Sequence, residues 1–173
     1  MKAKDLRKDE YLPFFQPYIN TIGDVILLQG LEDGLIHTLG FLKSIPSEKL
    51  EYRYKANKWT IKEIVNHLID SERVFAYRAL RFARQDNTPV AGFDENNYAT
   101  ESLANSRAFK DILEEYKFVR QASIALYKTF GADSNILKRT GLACGGSVSV
   151  RALGFLIAGH EKHHCNIIKE RYL

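Results

Sequence analysis

An all-α four-helix bundle is the fold this sequence predicts, and three observations predict it. Four long stretches repeat apolar residues at helical spacing. Residues that start or stop helices bound those stretches. The segments between them are rich in turn-forming residues, and one is long enough to act as a crossover.

The first helix is expected over about 24–42, where Val25, Leu28, Leu31, Leu35, Leu39 and Leu42 mark one face. Pro46 blocks its continuation. The second is expected over 60–84. Thr60 can cap it, and Glu63, three residues on, completes a capping box. Its apolar stripe is Ile61, Ile64, Leu68, Phe75, Ala79 and Phe82. The third runs over about 106–130, with Gly131 suited to the C-terminal stop. The fourth runs over about 147–171. Between them lie a loop at 45–59, with a short strand near 50–54, a long loop at 85–105 and a Gly-rich turn at 141–146. The stretch NTPVAGFDENNY inside the long loop holds Pro89, Gly92 and several turn-formers. A loop of about 20 residues in a compact domain needs a reason, and function is a usual one.

The 173 residues suggest a single domain over 1–173 with a core large enough to need no disulfide. Hydrophobic residues make up 45% and charged residues 27%, an ordinary balance for a soluble chain. The opening MKAKDLRKDE lacks the apolar run of a signal peptide, and no apolar stretch approaches the length of a membrane span. A cytoplasmic location is therefore expected. The net charge is +4, and the densest basic residues are Arg73, Arg78, Arg81, Arg84, Lys138 and Arg139. Glu72 and Asp86 interrupt them, so they read as a solvated face rather than a nucleic-acid patch. Cys144 and Cys165 lack C-x-x-C spacing, and Cys165 reads as a small buried hydrophobe.

Three of the five histidines fall in GHEKHHCNIIKERYL near the end of the chain. His160-Glu161-Lys162-His163-His164 fits H-E-x-x-H, the zinc-protease signature. The same letters suit two ligands of a bundle metal site, or no ligand at all. At about 100° per residue, His160 and His164 lie about 40° apart. Leu153, Leu156 and Ile167 fall on the same side, so both imidazoles project from the apolar face. His163 lies nearer the edge. His67 sits at the margin of the second helix's stripe, among Thr60, Glu63 and Ser71. Two imidazoles four residues apart supply two metal ligands, and a third must come from elsewhere. A site of His67, His160 and His164 leaves positions open for water or substrate. Against this stands the plain reading of His67 as a surface histidine. The protease reading is weaker, because the third ligand of such enzymes comes from further downstream. Glu170, six residues beyond His164, would point about 120° away.

The segments KWTIKEIVNHLIDSE, GFDENNYA and SVRALGFLIAGHEKHHCNIIKERY carry a resemblance. The chain resembles the DinB-like superfamily, in particular the branch of YfiT metal-dependent hydrolases and bacillithiol S-transferases. The resemblance implies an up-down-down-up order of the four helices. It also implies a divalent metal, zinc or nickel, held by His67, His160 and His164, and a homodimer. In the transferases the metal lowers the pKa of a low-molecular-weight thiol and presents the thiolate as nucleophile.

The resemblance also brings the 85–105 loop to the mouth of the metal site. Asp94 there could orient a ligand or accept a proton, a catalytic role, or be a solvated turn. Glu63 and Ser71 could support His67. Trp59 could line the pocket, although it reads better as a hydrophobic staple. Tyr98 could offer a hydroxyl. Glu161 reads as a supporting or surface residue, and His163 as a rim residue. The activity expected is S-transfer from a small thiol to an electrophile, with metal-assisted hydrolysis second. The rival from another class is a non-catalytic, stress-related bundle that binds small molecules. The expected partner is a small-molecule substrate, not nucleic acid and not a membrane.

Overall fold

A computed structural model describes residues 1–86, 88–131 and 134–173. In chain order its α-helices are α1 (Gln16–Ile22), α2 (Leu27–Lys43), α3 (Ile61–Ala83), α4 (Glu95–Glu101), α5 (Phe109–Phe130), α6 (Ser134–Lys138) and α7 (Val150–Arg171). Strands β1 (Thr140–Ala143) and β2 (Gly146–Ser149) form an antiparallel hairpin just before α7. The four long helices are those the apolar repeats predict, each starting one to three residues later. Their boundaries follow from caps. Thr60 accepts from the Glu63 amide, while the Glu63 carboxylate accepts from the Thr60 amide, closing the capping box. Ser149 accepts from the Ala152 amide at the start of α7. Gly131 ends α5 at φ +63, a conformation that favours glycine.

Side-chain contacts fix the direction of each helix. Thr60 bonds Asn105 and Glu72 bonds Arg120, so α3 and α5 run parallel. Tyr172 donates to the Trp59 carbonyl while His160 meets His67, so α7 runs antiparallel to α3. Thr38 meets Cys165, and Gly34 lies against Glu161, which makes α2 parallel to α7. The order is up-down-down-up.

Three local expectations change. The stretch 50–54 is turn and irregular backbone, not strand. The Gly-rich turn is the β1–β2 hairpin, its tip formed by Cys144 and Gly145, both at positive φ, as a tight two-residue hairpin requires. The long loop contains α4 and a 3₁₀ turn at Ala104–Ser106. Helix α1 was not expected, because seven residues are too few for a periodic signal.

The apolar core falls into two clusters. One joins Leu27 and Leu31 of α2 to Phe75 and Phe82 of α3, Tyr127 and Phe130 of α5, and the first half of α7. The other joins Leu42, Ile61–Ile69, Ile112–Tyr116 and Ile168 towards the opposite end. A polar layer separates them. Arg120 of α5 is 1% exposed; it donates to both carboxylate oxygens of Glu72 at 2.8 and 2.9 Å and pairs with Glu161 at 2.8 Å. Tyr116 donates to Glu161, and Arg120 also reaches the Leu31 carbonyl. All four long helices are tied at this level.

Helix α7 is buried on every side from Val150 to Glu161. Such a helix needs cover all round, and α1 supplies it on the side that the other three leave open. At the crossing, Gly159 lies against the Tyr18 backbone, and the Thr21 hydroxyl donates to the Gly159 carbonyl.

Candidate metal centre

Helices α3 and α7 place three imidazoles in one spot. His67 is buried on α3, His160 is buried on α7, and His164 follows one turn later, half-buried. Nε2 of His160 lies 3.0 Å from Nε2 of His67 and 3.1 Å from Nε2 of His164. The three side chains offer ligand atoms all within 4.8 Å of one another. Nitrogens about 2.0–2.1 Å from a tetrahedral zinc stand about 3.3 Å apart, so this set fits a single divalent ion.

The surroundings keep the rings neutral. Burial pushes His67 down to about 4. Burial, then the neighbouring His67 and His163, push His164 down to about 3. Burial, with His164, His67 and His163 alongside, holds His160 well below the ordinary histidine range. A metal needs the unprotonated ring, which is the form present at neutral pH. With Nε2 turned inward, Nδ1 carries the proton. The Ser71 hydroxyl lies 3.4 Å from Nδ1 of His67, the outer partner that orients a ligating histidine. Nδ1 of His164 is buried and has no partner among the described residues.

The histidines open onto a cavity of about 380 Å³. Its walls include Phe14, Phe15, Tyr18, Trp59, Phe75 and Phe93, with Arg78, Glu95, Cys144 and His163 among the polar groups. The Tyr18 ring stands edge-on to His160 and His163 at 5.1 Å, and Trp59 lies 4.7 Å from His67. Burial and the charge of Glu95 push the Tyr18 phenol up. A second cavity, of about 320 Å³, lies between α2 and α7. It holds none of the three clustered histidines; His37 is on its wall.

The sequence profile of the DinB superfamily matches residues 31–168. The chain belongs to the DinB superfamily. A curated protein of Oceanobacillus iheyensis, named "putative metal-dependent hydrolase", is 24% identical over 162 residues, 92% of this chain and 82% of its own length. The solved structure of YfiT from Bacillus subtilis, described as "a probable metal-dependent hydrolase with an unusual four-helix bundle topology", superposes with a TM-score of 0.75. The match covers 96% of this chain and 90% of that one at 17% identity, a likeness of fold.

The other residues singled out in this DinB-superfamily chain are dispersed. Asp94 is exposed, and its carboxylate accepts from the Asn96 and Asn97 amides as the N-cap of α4. It is not on the cavity wall; its neighbour Glu95 is. Glu63 is taken up by the capping box and by Arg53 and Asn105, away from His67. Tyr98 is exposed and packs on Phe93. Trp59 lines the cavity as well as packing on the core, so the staple reading covers only part of its role.

Glu161 is neither at the surface nor at the histidines. It is buried, facing Arg120 and Tyr116, and that removes the base a zinc protease of the H-E-x-x-H kind requires. His163 is half-buried on the rim. Cys165 is buried beside Thr38, and burial, with Glu161 nearby, pushes its thiol up to about 11. Tyr18, Cys144 and Arg78 were not assigned to the site from the sequence. Arg78 read as part of a solvated face and is in fact 1% exposed. It stands 11 residues after His67, three helical turns, and so about 20° round the same face of α3. That spacing is the signal that could have found it.

Proposed function

We propose that the chain is a metal-dependent hydrolase in which His67, His160 and His164 hold one divalent ion, zinc or nickel. The observation that carries the reading is the convergence of three neutral imidazole nitrogens at the end of an aromatic-walled cavity. Three imidazoles suit either ion and leave a coordination position for a nucleophile or substrate. An ion held there would lower the pKa of a bound water or thiol and polarise an electrophile beside it.

The protein's own residues set the rest. Ser71 fixes the orientation of His67 through Nδ1. Phe15, Tyr18, Trp59 and Phe75 exclude bulk water and give an apolar substrate a surface to pack on. Glu95 and His163 on the wall are placed to take or return a proton.

A second reading, S-transfer from a small thiol, is favoured by the scarcity of acid–base groups on that wall. A metal-coordinated thiol is deprotonated outright and needs no base.

The deciding experiment is metal content by mass spectrometry on untagged protein, wild type beside His160→Ala. About one zinc or nickel per chain, lost in the variant while its circular dichroism is unchanged, supports the centre. Reconstituted wild type that retains no metal overturns it. Turnover of a panel of esters and amides, against a small thiol with an electrophile, then separates the two chemistries. Ligand binding without turnover on either panel would leave a binding bundle.

A further inference from the structure

The guanidinium of Arg78 is the most unusual charge in the molecule. It is 1% exposed, yet no carboxylate among the described residues lies within ion-pair distance. Its hydrogen bond runs from Nη2 to the Ala91 carbonyl at 2.9 Å. Its Nε is buried with no hydrogen-bond partner among the described residues. The contrast is with Arg120 and Arg151, equally buried, which are matched to Glu72 with Glu161 and to Glu10. A buried cation left with unused donors costs stability, and natural proteins seldom keep one without a task.

Arg78 lies in the wall of the cavity that holds the three histidines. Its Cα is about 16 Å along α3 from that of His67, on nearly the same face. Both side chains line the one cavity, and Nη2 of Arg78 is held at the Ala91 carbonyl. The two groups are separated by on the order of 10 Å or more, and Phe15, Phe75 and Phe93 are among the residues that wall the cavity. Glu95 is the carboxylate on that wall, and it makes no ion pair with Arg78.

We propose that Arg78 is an anion-binding subsite. The cavity takes an elongated substrate with an apolar middle, a carboxylate at Arg78 and its reacting group at the histidines. Guanidinium is the natural receptor for a carboxylate, because its planar donors match two oxygens. The assignment of a reacting end rests on the metal-centre reading above; the carboxylate subsite does not.

The test compares 5-phenylpentanoate with its neutral amide, 5-phenylpentanamide, by ligand-observed NMR titration. Both are titrated into zinc-loaded wild type, chelator-stripped wild type, Arg78→Met and Arg78→Gln. The glutamine keeps a donor for the Ala91 carbonyl, so it serves should the methionine variant fail to fold.

Wild type should prefer the carboxylate by at least about tenfold, the scale of one charge-assisted hydrogen bond. That preference should vanish in both variants and persist after metal removal. A preference that survives in the variants but is lost with the metal means the carboxylate goes to the histidines. It overturns the subsite and leaves the metal centre standing. Equal binding of acid and amide by wild type overturns the subsite whatever the metal content. An Arg78-dependent preference in protein that holds no metal confirms the subsite while the metal reading fails.

Discussion

Trp59 is the chain's one tryptophan, and its ring sits 4.7 Å from His67 and stacks within 23° of His164 at 6.3 Å. An open-shell ion held by those histidines would lie within a few ångströms of the indole. Nickel titrated into metal-free protein should therefore quench the fluorescence saturably, at about one equivalent. The quench should be absent in His160→Ala; an undiminished quench there would place the ion elsewhere. The residues behind this prediction were unequally readable. His160 and His164 showed themselves by a four-residue spacing on an apolar face, and His67 by its place beside the stripe of its own helix. Tyr18 and Cys144 gave no such sign. Each sits in a short element whose path is set by what it packs on, α1 on α7 and the hairpin on the end of α3. Asp94 read as a candidate because the resemblance brings its loop to the mouth of the site; its carboxylate is used as the cap of α4.

At the scale of elements, α1 and α7 meet at Gly159, where a Cβ would run into the Tyr18 carbonyl. Backbone cannot yield as a side-chain tip can. Gly159→Ala should destabilise the fold by about 1–3 kcal/mol in urea unfolding. Because Tyr18 stands over His160 and His163, the same change should also alter the cavity wall. A neutral Gly159→Ala would mean that α1 rides loosely on the bundle. The four long helices were legible because their apolar repeats are long and their caps are strong. The hairpin was not, since four-residue strands that each include a glycine give too few alternations to register.

At the scale of the whole molecule, the Glu72–Arg120–Glu161 layer joins the long helices, and breaking it strands two buried carboxylates. Arg120→Met should cost about 3–5 kcal/mol by denaturant unfolding. A loss below about 1 kcal/mol would show that water or a shifted neighbour takes over. A second ion pair anchors the start of α7. Burial alone would raise the Glu10 carboxyl, but bonds from Arg151, the Arg7 amide and Ser149 outweigh it and hold the pKa below the ordinary 4.5. The sign follows from that direction. The contribution is fully present above about pH 4.5 and is lost as pH falls through the lower, folded value. Urea midpoints of wild type and Glu10→Gln should thus differ most above pH 4.5 and converge below it; a constant gap would rule out this linkage. Neither polar layer was visible in the sequence. Glu72 was read as diluting a basic face and Glu161 as a supporting or surface group, since the partner that buries each lies 48 and about 41 residues away on another helix.

The clustered histidines also set a clock on biosynthesis. His67 and His160 are 93 residues apart in the chain. At about 5–20 residues per second, roughly 5–19 seconds of translation separate them. Throughout that interval the nascent chain presents α3 with a single imidazole and no partner for it. An ion bound by all three histidines would have to arrive after the last long helix has been made and has docked.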